Sequence, residues 1–230
     1  MMLSWGKKKL IKRLNEVEGI ERYRISSIEP NLLTEEMIDW ITSGTKFLPH
    51  YHIPLQSGCD TILKAMGRRY DTRAFADKIR YIRKKSEIQG GPKVFFGIDV
   101  IVGFPGETEE EFEKSKAFVD KVNFYETHIF KYSKRQGTKA AVMDNQVPEQ
   151  IKTVRSNIML EMDEKKRVEY EKDFVGKEVE VLFEEKITKN EEHYWVGHTK
   201  EYVKIALQTE ENLQNQLAIV RIDKQSQIIR

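Results

Sequence analysis

Cysteine is almost missing from this chain: one, Cys59, stands among 230 residues. A single thiol excludes a disulfide framework, and it excludes any centre that needs several thiolates from this polypeptide. Proline, at 6, and glycine, at 13, are too sparse for a low-complexity or linker-rich chain. No apolar run is long enough to cross a bilayer, and Met1 leads into a basic segment rather than an apolar core with a small-residue cleavage site. The expectation is therefore a cytoplasmic chain with no membrane partner. Excess charge is lacking too, since 39 basic and 37 acidic residues leave a formal charge of +2. Such a balance neither requires nor forbids RNA, because binding depends on local patches. The signatures G-x-S-x-G, H-E-x-x-H and the phosphate-loop lysine motif are absent, which leaves hydrolase and kinase readings without a foothold.

What is present is a repeat of strand, polar loop and helix. Residues 94–102 are nearly all apolar, as a parallel strand covered on both faces would be, and they end in GFPGET at 103–108. Gly103 and Gly106 let backbone approach a ligand, Pro105 fixes the turn, and Thr108 with Glu111 forms a capping box for the next helix. The run HYHIPLQSG at 50–58 is a second such strand end, followed by a helix with Ile62, Leu63 and Met66 on one face. Residues 23–30 make a third, with Ser26, Ser27 and Glu29 at its end, before a helix started by Thr34, Glu35 and Glu36. Residues 127–132 make a fourth, ending at Ser133, Arg135 and Gly137. Four repeats predict an α/β domain, part of a parallel barrel or an open parallel sheet.

The opening segment reads as an amphipathic helix with Leu10, Leu14 and Val17 on one stripe. Residues 148–173 read as a linking helix with Ile151, Val154, Ile158 and Met162 on one stripe. Beyond it the pattern alternates, giving strands at 174–183, 194–199, 202–207 and 217–222. The expected division is thus 1–147, 148–173 and 174–230.

The runs RISSIEPNLLTEEMIDWI, PHYHIPLQSGCDTILKAMGRRYDT, GIDVIVGFPGETEEEFE and FKYSKRQGTKAA, in this order and spacing, resemble the carboxyl-terminal two-thirds of the radical S-adenosylmethionine tRNA methylthiotransferases. Within that family the resemblance is to the branch that adds a methylthio group to the threonylcarbamoyl-modified adenosine beside the anticodon. It implies a partial radical SAM, TIM-like barrel followed by a small TRAM (OB-like) RNA-binding barrel. It also implies S-adenosylmethionine, iron-sulfur clusters and the tRNA anticodon stem-loop as cofactors and partner. The family's C-x-x-x-C-x-x-C motif, whose thiolates hold the cluster, has no counterpart here. The chain is accordingly expected to be a truncated member that begins inside the barrel, cannot bind the cluster and is inactive alone, with a sticky strand edge beside residues 23–28. The alternatives are a stand-alone RNA-binding fragment, or one subunit of a split enzyme whose cysteines lie on a separate chain.

On that resemblance Gln56 and Ser57 are candidates for polar contacts to the cofactor, residues 99–103, including Asp99, Ile101 and Gly103, for contact with its adenine, and Ser27 and Glu29 sit at the same level. Arg68 or Arg69 would pair with its carboxylate, because a guanidinium fork suits that geometry. Each has a structural alternative: helix capping for Gln56 and Ser57, a satisfied buried carboxylate for Asp99, a surface position for Arg68. Tyr194, Trp195, His198, Tyr202 and Lys204 are candidates for RNA contact, against the alternative that the aromatics fill the barrel core. His50 and His52 alternate on one strand, but no nearby ligands complete a metal site, so packing or hydrogen bonding is the better reading. His128 and His193 read as isolated.

Overall fold

The computed structural model describes residues 2–88, 93–189, 191–224 and 227–229, in two compact units, Met1–Lys166 and Arg167–Arg230. In the first, helix α1 (Met2–Asn15) precedes strand β1 (Tyr23–Ile25), and α2 (Glu35–Ile41) leads to β2 (Phe47–His52). Two helices, α3 (Asp60–Ala65) and α4 (Thr72–Ile88), then lead to β3 (Phe95–Val102). Helix α5 (Glu109–Val122) leads to β4 (Glu126–Lys131), and α6 (Glu149–Lys172) follows. The four strands form a parallel sheet in the order β1-β2-β3-β4. Strand order equal to sequence order is the winding of a barrel wall rather than of a doubly wound sheet.

The expected cover on both faces of β3 holds only in part. Phe96, Ile98, Val100 and Val102 lie in one apolar cluster with Ile11 of α1, Ile38 of α2, Phe75 of α4, Phe112 of α5 and Met159 of α6. These five helices therefore pack on one face of the sheet. The alternate residues, Phe95, Gly97, Asp99 and Ile101, face the other way, where Asp99 and Ile101 are half-buried. β3 still reads as a continuous apolar run because Phe95 is covered there by ring stacking on His50 at 4.5 Å and by Tyr125 at 4.8 Å.

Local signals act as the sequence implies at the helix starts. Thr34 Oγ1 accepts from Met37 N to start α2, and Thr108 and Glu111 close a full capping box on α5. Two helical stripes differ from expectation. Among the described side chains of α1, Ile11 is buried and Leu14 packs partly against the core, whereas Leu10 is exposed, as is Val17 just beyond the helix. In α6 Ile151 and Val154 are exposed, whereas Lys152, Arg155 and Asp163 are buried. These polar groups are buried because each meets a partner in the loops and strands: Lys152 Nζ donates to Tyr132 O at 2.9 Å, Arg155 binds Glu107, and Asp163 Oδ1 accepts from Thr127 N.

The second unit is a curled antiparallel sheet of β5 (Glu178–Lys189), β6 (Glu192–Thr199), β7 (Lys204–Leu207) and β8 (Leu217–Arg221), in the order β7-β6-β5-β8. A bridge from Ile205 to Ile228 ties β7 to the segment after β8. Gly197 sits at a bulge, opposite Phe183, where an added Cβ would lie 2.1 Å from Leu182 O. Val181, Phe183, Trp195, Val203, Ile205 and Ile222 are buried in this unit. Among the described residues, no helix is long and apolar enough to cross a membrane.

Candidate functional site

The helix-free face of the parallel sheet carries its polar residues in register. Parallel pairing sets His52 beside Gly97, Gly97 beside Glu126, and Asp99 beside His128. His52 Nε2 lies 2.9 Å from Asp99 Oδ1, and its Nδ1 lies 3.4 and 3.3 Å from the hydroxyls of Ser26 and Ser27. The His128 ring meets the His52 ring edge-on at 5.3 Å, and His128 Nε2 is 4.0 Å from Glu126 Oε2. One ligand atom each from His52, Asp99 and His128 fall within 4.8 Å of one another. His128 is thus not isolated: three strands that are far apart in sequence bring it to His52. One register level below, His50 is 6% exposed. Burial, helped by the nearby Arg24 charge, pulls its imidazole pKa down to about 4.

The expected cofactor residues divide into three sets. Ser27, Asp99 and Ile101 stand at this polar face, Ser27 with φ of 52°. Glu29 and Arg68 meet each other, Glu29 Oε1 lying 3.6 Å from Arg68 Nη1. Arg68 therefore faces a carboxylate of this chain. The third set braces turns. Gln56, with φ of 72°, extends the sheet through its backbone, its N donating to Asp99 O at 2.7 Å and its O accepting from Ile101 N at 2.9 Å. Ser57 is fully buried and its Oγ accepts from Cys59 N at 3.2 Å, so its side chain is closed to a ligand, a role near the capping alternative. Gly103 takes φ of 72° and donates its N–H to Glu107 Oε2 at 2.6 Å, so that donor is already used.

Two groups went unread in the sequence. Glu107 is buried behind the glycine turn, where Arg155 Nη1 reaches its carboxylate at 2.8 Å and its carbonyl at 3.0 Å. Burial pushes the Glu107 carboxyl up, against the opposing pull of the Gly103 N–H and Arg155. The acid four residues after Gly103 is visible in the sequence, but nothing local announces an arginine 48 residues away. His52 and His128 were likewise legible only with the strand register.

In the second unit Trp195 is 7% exposed and belongs to the core, so it is not an RNA-facing residue. Tyr194, His198, Tyr202 and Lys204 are half-buried. His198 stacks on Tyr202 at 4.6 Å, and Lys204 Nζ is 3.7 Å from Glu185 Oε1. His198 Nδ1 lies 2.5 Å from Glu184 Oε2, and the Tyr194 hydroxyl donates to Glu192 Oε2 at 2.5 Å, so carboxylates stand among these residues.

Residues 2–119 match the family model described as the Radical SAM superfamily. The chain is 38% identical over 218 residues to the threonylcarbamoyladenosine tRNA methylthiotransferase MtaB of Bacillus subtilis (strain 168), covering 94% of this chain and 47% of that protein. It is 42% identical over 177 residues to the tRNA-2-methylthio-N(6)-dimethylallyladenosine synthase of Thermobifida fusca (strain YX), covering 77% of this chain and 35% of that one. The chain therefore spans less than half the length of these relatives. Among solved structures, coproporphyrinogen III oxidase (HemN) of Escherichia coli, a radical SAM enzyme, matches with a TM-score of 0.55 at 14% identity. That alignment covers 88% of this chain and 51% of that one, and shows a shared fold.

Proposed function

Because this chain belongs to the radical SAM superfamily, we propose that it is the cofactor-flanking and RNA-binding portion of a tRNA methylthiotransferase. Its substrate on this reading is the threonylcarbamoyl-modified adenosine beside the anticodon, which receives a methylthio group at C2. The observation that carries the reading is the 38% identity sustained over 94% of the chain with the threonylcarbamoyladenosine enzyme. The polar face at the strand ends supports it, because a parallel barrel presents its chemistry there.

The family's cluster requires three thiolates. This chain has only Cys59, 4% exposed and packed with Ile62 and Phe104, so the residues present do not fit such a cluster. The chain alone is therefore inactive on this proposal, and the thiolates come from elsewhere in a longer protein or from a separate chain. S-adenosylmethionine fits better. Ser27, Asp99 and Ile101 offer a hydroxyl, a carboxylate and apolar surface on the helix-free face of neighbouring strands, and Arg68 Nε is buried without a hydrogen-bond partner among the described residues. Those four would hold it, with Glu29 orienting the Arg68 guanidinium. Bound, it supplies a methyl donor and a source of a carbon radical. The turn-bracing residues Gln56, Ser57 and Gly103 keep the strand ends in place for it.

Residues 174–230, with 148–173 as the linking helix, are a TRAM-type module on this reading. It grips the anticodon stem-loop through His198, Tyr202 and Lys204, with Tyr194 beside them. Stacking of bases on the aromatics and a salt-sensitive contribution from Lys204 follow from their chemistry. Fluorescence anisotropy with a labelled anticodon stem-loop tests this part. Saturable binding that weakens with salt and with Tyr202→Ala is expected; binding indifferent to both speaks against it. A stem-loop binder that no cysteine-bearing chain can activate would favour the stand-alone RNA-binding reading.

A further inference from the structure

We propose that His52, Asp99 and His128 form a binding site for a first-row divalent metal ion on the open face of the parallel sheet. This goes beyond the proposed function, which uses neither histidine, and it stands whether or not the chain binds RNA.

The three residues come from β2, β3 and β4, so their placement rests on the most regular part of the fold. His52 pairs with Gly97 and His128 with Asp99, which sets all three side chains on the same face at adjacent levels. Their ligand atoms already lie within 4.8 Å of one another. Ligands with bonds of about 2.0–2.1 Å lie about 3.3 Å apart on a tetrahedral ion and about 2.9 Å apart on an octahedral one, so the 2.9 Å from His52 Nε2 to Asp99 Oδ1 needs at most a few tenths of an ångström of opening. The remaining closure falls to His128, whose side chain is 44% exposed and has room to turn.

Three further features favour a cation. Two hydroxyls, of Ser26 and Ser27, flank His52 Nδ1 and would accept its proton. With a metal ion on Nε2 that proton would sit on Nδ1, facing those hydroxyls, and metal-bound histidines commonly carry such an oxygen partner on the second nitrogen. Glu126 adds a second carboxylate 4.0 Å from His128. Gly97, at the level of both His52 and Glu126, places no side chain over the site. Two imidazoles and one carboxylate on one side of an ion suit Fe(II), Co(II), Ni(II) or Zn(II), and leave its outer positions open to water or to a ligand oxygen. The set lacks thiolates, so it is independent of the cluster chemistry that one cysteine cannot support.

Cobalt(II) and zinc(II) are the probes. The purified chain, freed of metal with a chelator, is titrated with cobalt chloride while its visible absorption is followed, and zinc chloride is then added as competitor. One cobalt per chain with ligand-field bands, displaced by one zinc, is expected. His128→Ala and Asp99→Asn should each weaken zinc binding by roughly a thousandfold, above the ~10- to 100-fold loss typical of a supporting residue. His193→Ala, in the other unit, should leave it unchanged. His128 is exposed, and His128→Gln with an unaltered far-ultraviolet circular dichroism spectrum separates loss of a ligand from loss of fold. Absence of saturable binding, or binding that survives both His128 variants and Asp99→Asn, overturns the site and leaves His52 and Asp99 as an ordinary hydrogen-bonded pair.

Discussion

Glu107 and Arg155 show how single residues hold the functional edge. Their side chains are 1% and 5% exposed, and the carboxylate serves two donors at once, Gly103 N and Arg155 Nη1. Removing Glu107 leaves the buried Arg155 only the exposed Glu109 carboxylate, 3.0 Å from Nη2, and takes the acceptor from Gly103 N, which costs about 1–3 kcal/mol. Glu107→Ala should therefore lower stability by that order in urea denaturation. Gly103→Ala should also destabilise, by about 1–2 kcal/mol for an L-residue in the left-handed region, with added strain because its Cβ would lie 2.4 Å from Lys152 Cγ. His50 gives a pH dependence. Its folded pKa, about 4, lies below its ordinary value of 6.5, so the folded chain resists protonation in that interval. The unfolded chain binds the proton first as pH falls from 6.5 toward 4, and stability falls with it, by on the order of 3 kcal/mol in total. Above pH 6.5 the residue contributes no such loss. Urea midpoints at pH 7 and 4.5 should separate less for His50→Gln than for the parent chain. None of these three roles was legible from local sequence beyond the glycine itself, because each depends on burial or on a distant partner.

At the scale of elements, the sequence was informative where the signal is local. Thr108 and Glu111 announced their capping box, and the apolar run before Gly103 announced β3. Thr108→Ala removes the hydroxyl that accepts from Glu111 N and should cost about 1 kcal/mol in the same denaturation assay. Periodicity was less informative in α6. Ile158 and Met162 of the expected stripe pack against the core, but Ile151 and Val154 face outward, and beside Met159 the buried positions include Lys152, Arg155 and Asp163, each satisfied by a group of the loops or strands. A pattern of apolar residues cannot reveal a face buried through hydrogen bonds. The strand ends were read too long for a similar reason: β1 stops at Ile25 and β2 at His52, and the polar residues beyond continue the sheet through isolated contacts, such as Ile28 N to His52 O at 3.1 Å and the Gln56 bridge to β3. Alternation in β6 identified a half-buried strand, but only the sheet's curl decides that Trp195 points inward.

For the whole molecule, the parallel sheet with helices on one face and the curled antiparallel sheet are two separate solutions to burying apolar area, and the order of the four quoted runs already implied the first. What the runs did not give was the face opposite the helices, where His52, Asp99 and His128 meet. On the proposed function this chain supplies the barrel wall and RNA-binding part of a methylthiotransferase and depends on thiolates it does not carry. The direct measurement is mass spectrometry of tRNA nucleosides from bacteria lacking their own threonylcarbamoyladenosine methylthiotransferase. The chain is expressed there alone, and again with the cysteine-bearing amino-terminal portion of the Bacillus subtilis relative. The 2-methylthio nucleoside is expected only in the second case. The modified nucleoside from the chain alone, or none from the pair when both are folded and soluble, would contradict it.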